Sequence, residues 1–216
     1  MLKQLTAVCG VLALVFASAA PARALTAMET VERALQATER VEDYTATIAV
    51  AMEAPNVNIA RRQVKVWYKQ PDKVHVESEG VVIIPRDALL LGNLALHLKD
   101  YATASFAGEG EIAGRPVRCV KLAPRDFGPG SGRVLLWIDS ERYLLLKSEV
   151  WRGGKRQLAA GFHHTNVSGY WMPEYIITDV AEGALRDRTS AAHIELQFMN
   201  YRINTGLPDS IFREGN

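Results

Sequence analysis

The chain has 216 residues, with 25 Lys+Arg against 24 Asp+Glu and 48% hydrophobic residues. A chain of this length buries roughly 70% of its unfolded surface as one domain, so it needs no disulfide or metal staple, and a net charge of +1 gives no basic footprint for nucleic acid. At 23% charged residues it is too apolar for a disordered tail.

Residues 1–24 contain no acid. Lys3 opens them, Leu5 to Ala20 is an apolar run interrupted by Thr6, Gly10 and Ser18, and Pro21 precedes Ala22-Arg23-Ala24. This three-part build predicts a secretory signal peptide cleaved after Ala24. The run is short of the ~20 residues that span a bilayer. Removing it takes Lys3 and Arg23, leaving 23 cationic residues against 24 acidic ones. Cys9 lies within the run without the small residue and longer apolar stretch a lipidation site needs. Cys119 is then alone in the exported chain, and its alternating setting Val117-Arg118-Cys119-Val120-Lys121 predicts inert burial in a strand.

Thr26-Ala27-Met28-Glu29 has the capping-box pattern. Leu25, Met28, Val31, Leu35, Thr38 and Val41 recur at spacings of three and four behind it, which predicts one amphipathic helix. The period then becomes two. Tyr44, Ala46, Ile48, Val50 and Met52 form the larger, apolar face of a strand, and Pro55-Asn56 turns it. Val64, Val66 and Tyr68 alternate with Lys65, Trp67 and Lys69, and Pro71-Asp72 precedes Val74 and Val76. Residues 85–99 predict a short helix that is apolar nearly all round, suited either to a core or to ligand contact.

Further strands are predicted at 101–107, 111–123, 133–139, 143–151, 156–166, 173–181 and 190–203. Turns at Gly108/Gly110, Gly128–Gly132, Asp139-Ser140, Gly153-Gly154, Gly169 and Glu182-Gly183 separate them. No linker or repeat divides residues 25–216, so a single domain is expected.

Catalytic signals are sparse. Gly128-Pro129-Gly130-Ser131-Gly132 lacks the spacing of a nucleophile elbow and the Lys-Ser/Thr pair of a phosphate loop, and is expected to be a flexible turn. His163 and His164 are neighbours on one strand and should face opposite sides. His75, His97 and His193 have no zinc spacing. Asn166-Val167-Ser168 is a formal glycosylation sequon. No enzyme activity, cofactor or metal is expected.

Ile112 to Asp126, Val134-Leu135-Leu136-Trp137-Ile138-Asp139 and Leu144 to Val150 resemble, in order and spacing, the N-terminal domain of the RseB/MucB proteins, periplasmic regulators of an envelope-stress sigma factor. Val66-Trp67-Tyr68-Lys69-Gln70-Pro71-Asp72-Lys73-Val74 resembles a strand end of the lipoprotein carrier LolA, and Asn204 to Phe212 resembles the closing segment of this wider group. The resemblance implies an α+β fold that is mostly antiparallel β: a LolA-like half-barrel of about eleven strands with helices plugging its concave face. It also implies a periplasmic binding protein that holds lipid or lipoprotein acyl chains, in outer-membrane lipoprotein sorting. The alternative it implies is an envelope-stress regulatory module that binds an anti-sigma factor, an envelope membrane protein. By strand phase, Ile48, Val50, Met52, Val66, Tyr68, Val74 and Val76 would line the cavity, with Leu89, Leu90, Leu94 and Leu98 facing them. The same residues would equally make a dry core. Gln70 stands where LolA has an Arg that bonds the helical lid, so it brings a hydrogen bond without charge, and it is expected to contact the ligand with the other cavity residues. The chain stops at Asn216 without the second domain of RseB-type regulators, and a monomer is expected.

Overall fold

A computed structural model of the chain describes residues 24–55, 57–78, 101–124, 132–184 and 190–213. The chain begins with α1 (Ala27–Glu39) and continues in three strands, β1 (Asp43–Ala54), β2 (Val57–Lys69) and β3 (Lys73–Ser78). Seven more follow: β4 (Tyr101–Ile112), β5 (Arg115–Pro124), β6 (Arg133–Asp139), β7 (Leu145–Arg152), β8 (Lys155–Val167), β9 (Tyr170–Val180) and β10 (Ala192–Ile203). A 3-10 turn at Asp209–Phe212 closes the described chain.

All ten strands form one antiparallel sheet in the order β3-β2-β1-β10-β9-β8-β7-β6-β5-β4. Among the described residues the sheet is open, with β3 and β4 at its two edges. About eleven strands were expected; ten lie among the described residues. The expected helix over 85–99, with Leu89, Leu90, Leu94 and Leu98, lies outside them, as do most of the signal segment and the glycine-rich 125–131 stretch.

Cross-strand register assigns the two faces. One row runs Val120, Leu136, Ser148, Ala160, Thr178, Ile194, Met52, and the next along the strands runs Cys119, Trp137, Lys147, Gly161, Ile177, Glu195, Ala51. Side chains alternate between faces along a strand, so the first row marks an inner, apolar face and the second an outer, mixed one.

The capping box forms as the sequence predicts. Thr26 Oγ1 accepts from the Glu29 amide at 3.1 Å, and Glu29 Oε2 accepts from the Thr26 amide at 2.7 Å. The buried stripe of α1 is displaced from the expected one. Ala27, Thr30, Val31 and Ala34 are buried, while Met28 and Leu35 are only half-buried. Small residues let the helix sit close to the sheet, and Ala27, Val31 and Ala34 pack with Val120, Leu122, Val134, Leu136 and Ile138.

One expected turn moves. Gly108 does not end a strand but sits at an irregularity in the β4–β5 pairing, and the hairpin turns instead at Ala113 and Gly114, with φ of 50° and 75°. A two-residue turn of type I′ needs positive φ at both positions, which Gly114 accepts freely and Ala113 adopts under strain. The Gly153-Gly154 turn forms where the sequence places it.

Candidate ligand-binding face

The inner face has two parts. α1 contacts β4 and β6 and occupies that half. The other half is a wall on β2, β1, β10 and β9, and it gathers five of the expected site residues. Ile48, Val50, Met52, Val66 and Tyr68 are buried together with Ile176, Ile194, Leu196 and Phe198, and Val74 packs against them. Val76 lies on the same face of edge strand β3 but is 39% exposed. Sequence phasing missed the contribution of β9 and β10, because it located those strands without assigning which of their faces turns inward.

One end of the wall is aromatic. The Tyr44 ring centroid lies 5.1 Å from that of Tyr68 and 5.7 Å from that of Tyr201, which stacks on Phe198 at 6.1 Å. Each hydroxyl remains protonated: burial pushes Tyr68 up to about 12 and raises Tyr44 and Tyr201 well above the ordinary phenol value. Tyr201 donates to the Pro173 carbonyl at 2.7 Å, and Tyr68 to that of Pro71 at 3.4 Å. The wall is therefore uncharged. Gln70 does not extend it. Its side-chain amide donates to the Val41 carbonyl at 2.9 Å and its backbone amide to the Glu42 carbonyl at 2.8 Å, tying the end of β2 to the chain entering β1.

The outer face carries a shallow groove of about 520 Å³ between Arg115, Lys147, Arg156, Gly161, His164 and Ile177. His163 also lines it, contrary to the expected opposite placement of the two histidines. The reason is an irregularity between them in the β8–β9 register, which breaks the alternation. Among the described residues no group of three His, Cys, Asp or Glu could hold a metal. Asn166 spends its side-chain oxygen on the Gly169 amide, 3.0 Å away, shaping the β8–β9 turn. Cys119 is buried, and burial, with the Glu149 charge, raises its thiol, so it stays protonated and unreactive.

Two histidines shift in opposite directions. Burial, together with the Arg115 charge, brings His164 down to about 4. A hydrogen bond to Asp179 at 2.7 Å, opposed by partial burial and aided by Glu195, raises His193. A depressed histidine is neutral in the fold and costs stability as pH falls from its unfolded value of 6.5 toward 4. A raised one contributes stability that is present below 6.5 and lost as pH rises through its folded value. Proton NMR titration should show His193 titrating above pH 6.5 and His164 remaining neutral through pH 5; a shared midpoint near 6.5 would refute both environments.

The MucB/RseB N-terminal domain family matches residues 27–166. No curated protein matches the chain by sequence. A DUF1329 family protein from Desulfovibrio piger is similar in structure at 12% identity and TM-score 0.61, over 88% of this chain and 98% of that one. A LolA superfamily protein from Nitrosomonas europaea is similar at 16% identity and TM-score 0.56, over 88% and 99%. An outer membrane lipoprotein-sorting protein domain from Vibrio parahaemolyticus is similar at 15% identity and TM-score 0.57, over 87% and 97%. At these identities the likeness is one of fold, and the fold is LolA-like.

Proposed function

Because the chain belongs to the MucB/RseB N-terminal domain family, we propose that it is a periplasmic binding protein that holds lipid or lipoprotein acyl chains on the inner face of its sheet. The observation that carries this reading is the division of that face: α1 takes the β4–β6 half, and the β2-β1-β10-β9 half is a continuous uncharged wall. Hydrocarbon suits such a wall, since each methylene removed from water is worth ~0.8 kcal/mol, and nothing on the wall demands a hydrogen bond from the ligand. Ile48, Val50, Met52, Val66, Tyr68 and Val74 would touch the chain, with Val76 at the rim. The wall residues are buried, so uptake of a ligand requires the inner face to open. No covalent chemistry is involved. The role this fits is outer-membrane lipoprotein sorting, without the charged strand-end switch, since Gln70 is neutral and committed to Val41.

Native mass spectrometry of protein recovered from the periplasm should show a bound lipid mass, and the protein should take up a fluorescent fatty acid. An apo mass with no uptake overturns the reading. Val76→Glu places a carboxylate at the exposed rim, where folding tolerates it. It should weaken fatty-acid uptake by about tenfold, the effect of ~1.4 kcal/mol from a charge beside hydrocarbon, with an unchanged melting temperature. Full uptake by this variant would remove the β3 edge from the site. Family membership also supports a regulatory module whose partner is an anti-sigma factor. Capture of such a factor's periplasmic segment, without bound lipid, would select that reading instead.

A further inference from the structure

The β7–β8 hairpin end of the sheet concentrates positive charge that an acyl-binding wall does not use. Its sequence is Trp151-Arg152-Gly153-Gly154-Lys155-Arg156, and it turns on two glycines at φ of 56° and 76°. Residues 152–156 are all exposed. Arg133, paired in register with Trp151, lays its guanidinium 4.6 Å from that ring's centroid, and Lys121 lies two rows inward, opposite Leu135. Lys121, Arg133, Arg152 and Lys155 make no ion pair among the described residues.

The carboxylates nearby do not balance this charge. Glu149 is buried beneath the hairpin, where it accepts from Trp151 Nε1 at 2.9 Å and pairs with Lys147 at 2.9 Å and Arg156 at 3.5 Å. Burial pushes its pKa up, but these hydrogen bonds and charges outweigh burial and lower it, so it stays ionised and occupied. Asp179 on β9 is taken by His193 at 2.7 Å. Glu182, in the turn after β9, and Glu53, opposite His193 on β1, are the remaining described carboxylates at this end. Among the described residues, four unpaired cations and Arg156, which shares Glu149 with Lys147, thus stand on one end of a chain that is nearly neutral as a whole.

The cations are spread across β5, β6, β7 and β8 and do not converge on a pocket, so they fit an extended anionic surface better than a single anion. A tryptophan under an arginine has an apolar body and a cationic edge, the combination that favours a membrane–water interface. We infer that this end of the sheet docks on the anionic headgroups of a lipid bilayer. The inference does not rest on the acyl-binding reading, since it concerns the rim and outer face of the sheet and not the inner wall.

The test is co-sedimentation of protein recovered from the periplasm with vesicles of phosphatidylcholine, with and without phosphatidylglycerol. Binding should require phosphatidylglycerol and disappear at about 1 M salt, where the screening length is about 3 Å. The double substitution Arg152→Glu/Lys155→Glu should weaken it by about tenfold or more, with melting temperature and fatty-acid uptake unchanged. Lys65→Glu, an exposed outer-face position on β2, should retain binding. Equal binding to both vesicle types, no effect of the double substitution, or an equal loss with Lys65→Glu overturns the inference, as does binding to a soluble acidic peptide without binding to vesicles.

Discussion

Asp43→Ala should lower stability by about 3 kcal/mol, a fall in melting temperature of about 10 °C for a chain of this size. The carboxylate is buried at the start of β1 and organises the closing segment of the chain. It accepts from the backbone amides of Thr205 at 2.8 Å, Gly206 at 2.8 Å and Leu207 at 3.1 Å, and from the Thr205 hydroxyl at 3.2 Å. Its own carbonyl accepts from the Asn204 amide at 2.8 Å. Asn204, at φ of 53°, returns its side-chain oxygen to the Glu42 amide at 2.8 Å and donates to the Arg40 carbonyl at 3.0 Å. Removing the carboxylate strands three amide donors at once, which costs more than deleting the bonds together with both partners. Asp43→Asn should be only slightly milder, because its amide nitrogen would meet donors. Thr205→Val, which loses only the 3.2 Å bond, should cost under about 1 kcal/mol. Chemical denaturation measures all three. A loss below about 1 kcal/mol for Asp43→Ala would mean that water satisfies these amides and the clamp is dispensable.

Leu136→Ala should cost about 3–4 kcal/mol through lost burial and the cavity left behind. Leu136 is fully buried on β6 between the sheet and Val31 of α1. Because the helix side there is built of alanine and valine, no long side chain can swing in to fill the void. Hydrogen exchange of the α1 amides should accelerate, since the helix holds to the sheet through this cluster. Fatty-acid affinity should not change, because Leu136 lies under the helix and away from the proposed wall. Ile48→Ala provides the contrast, since it should lose both stability and affinity. Equal affinity losses in the two variants would join the two halves of the inner face into one site.

The local rules read correctly wherever a single element decides the outcome. The capping box at Thr26 and Glu29, the even-numbered apolar face of β1 and the Gly153-Gly154 turn depend on neighbours a few residues away, and each forms as expected. The departures come where a second strand or the sheet sets the geometry. The bulge between His163 and His164 exists only in the pairing of β8 with β9, so period-two reasoning on one strand could not place both histidines on one groove. The turn at Ala113-Gly114 displaces the expected one at Gly108 because register along the whole β4–β5 pair outweighs local glycine preference. Gln70 looked like a contact for a ligand or lid, whereas the tertiary fold brings Val41 within its reach.

By itself the sequence determined the class of molecule: one helix followed by a long series of half-buried strands, a family resemblance, and an apolar surplus on one strand face. These follow from periodicity and turn chemistry, which are local. Only the tertiary structure decided that the sheet stays open, that β10 pairs with β1 and completes the apolar wall, that Asp43 holds residues 204–207 some 160 positions away, and that Lys121 and Arg133 join the cations of the 152–156 hairpin at one end. Each of these depends on partners distant in the chain, whose juxtaposition is selected by the register of ten strands acting together and leaves no mark in any single segment.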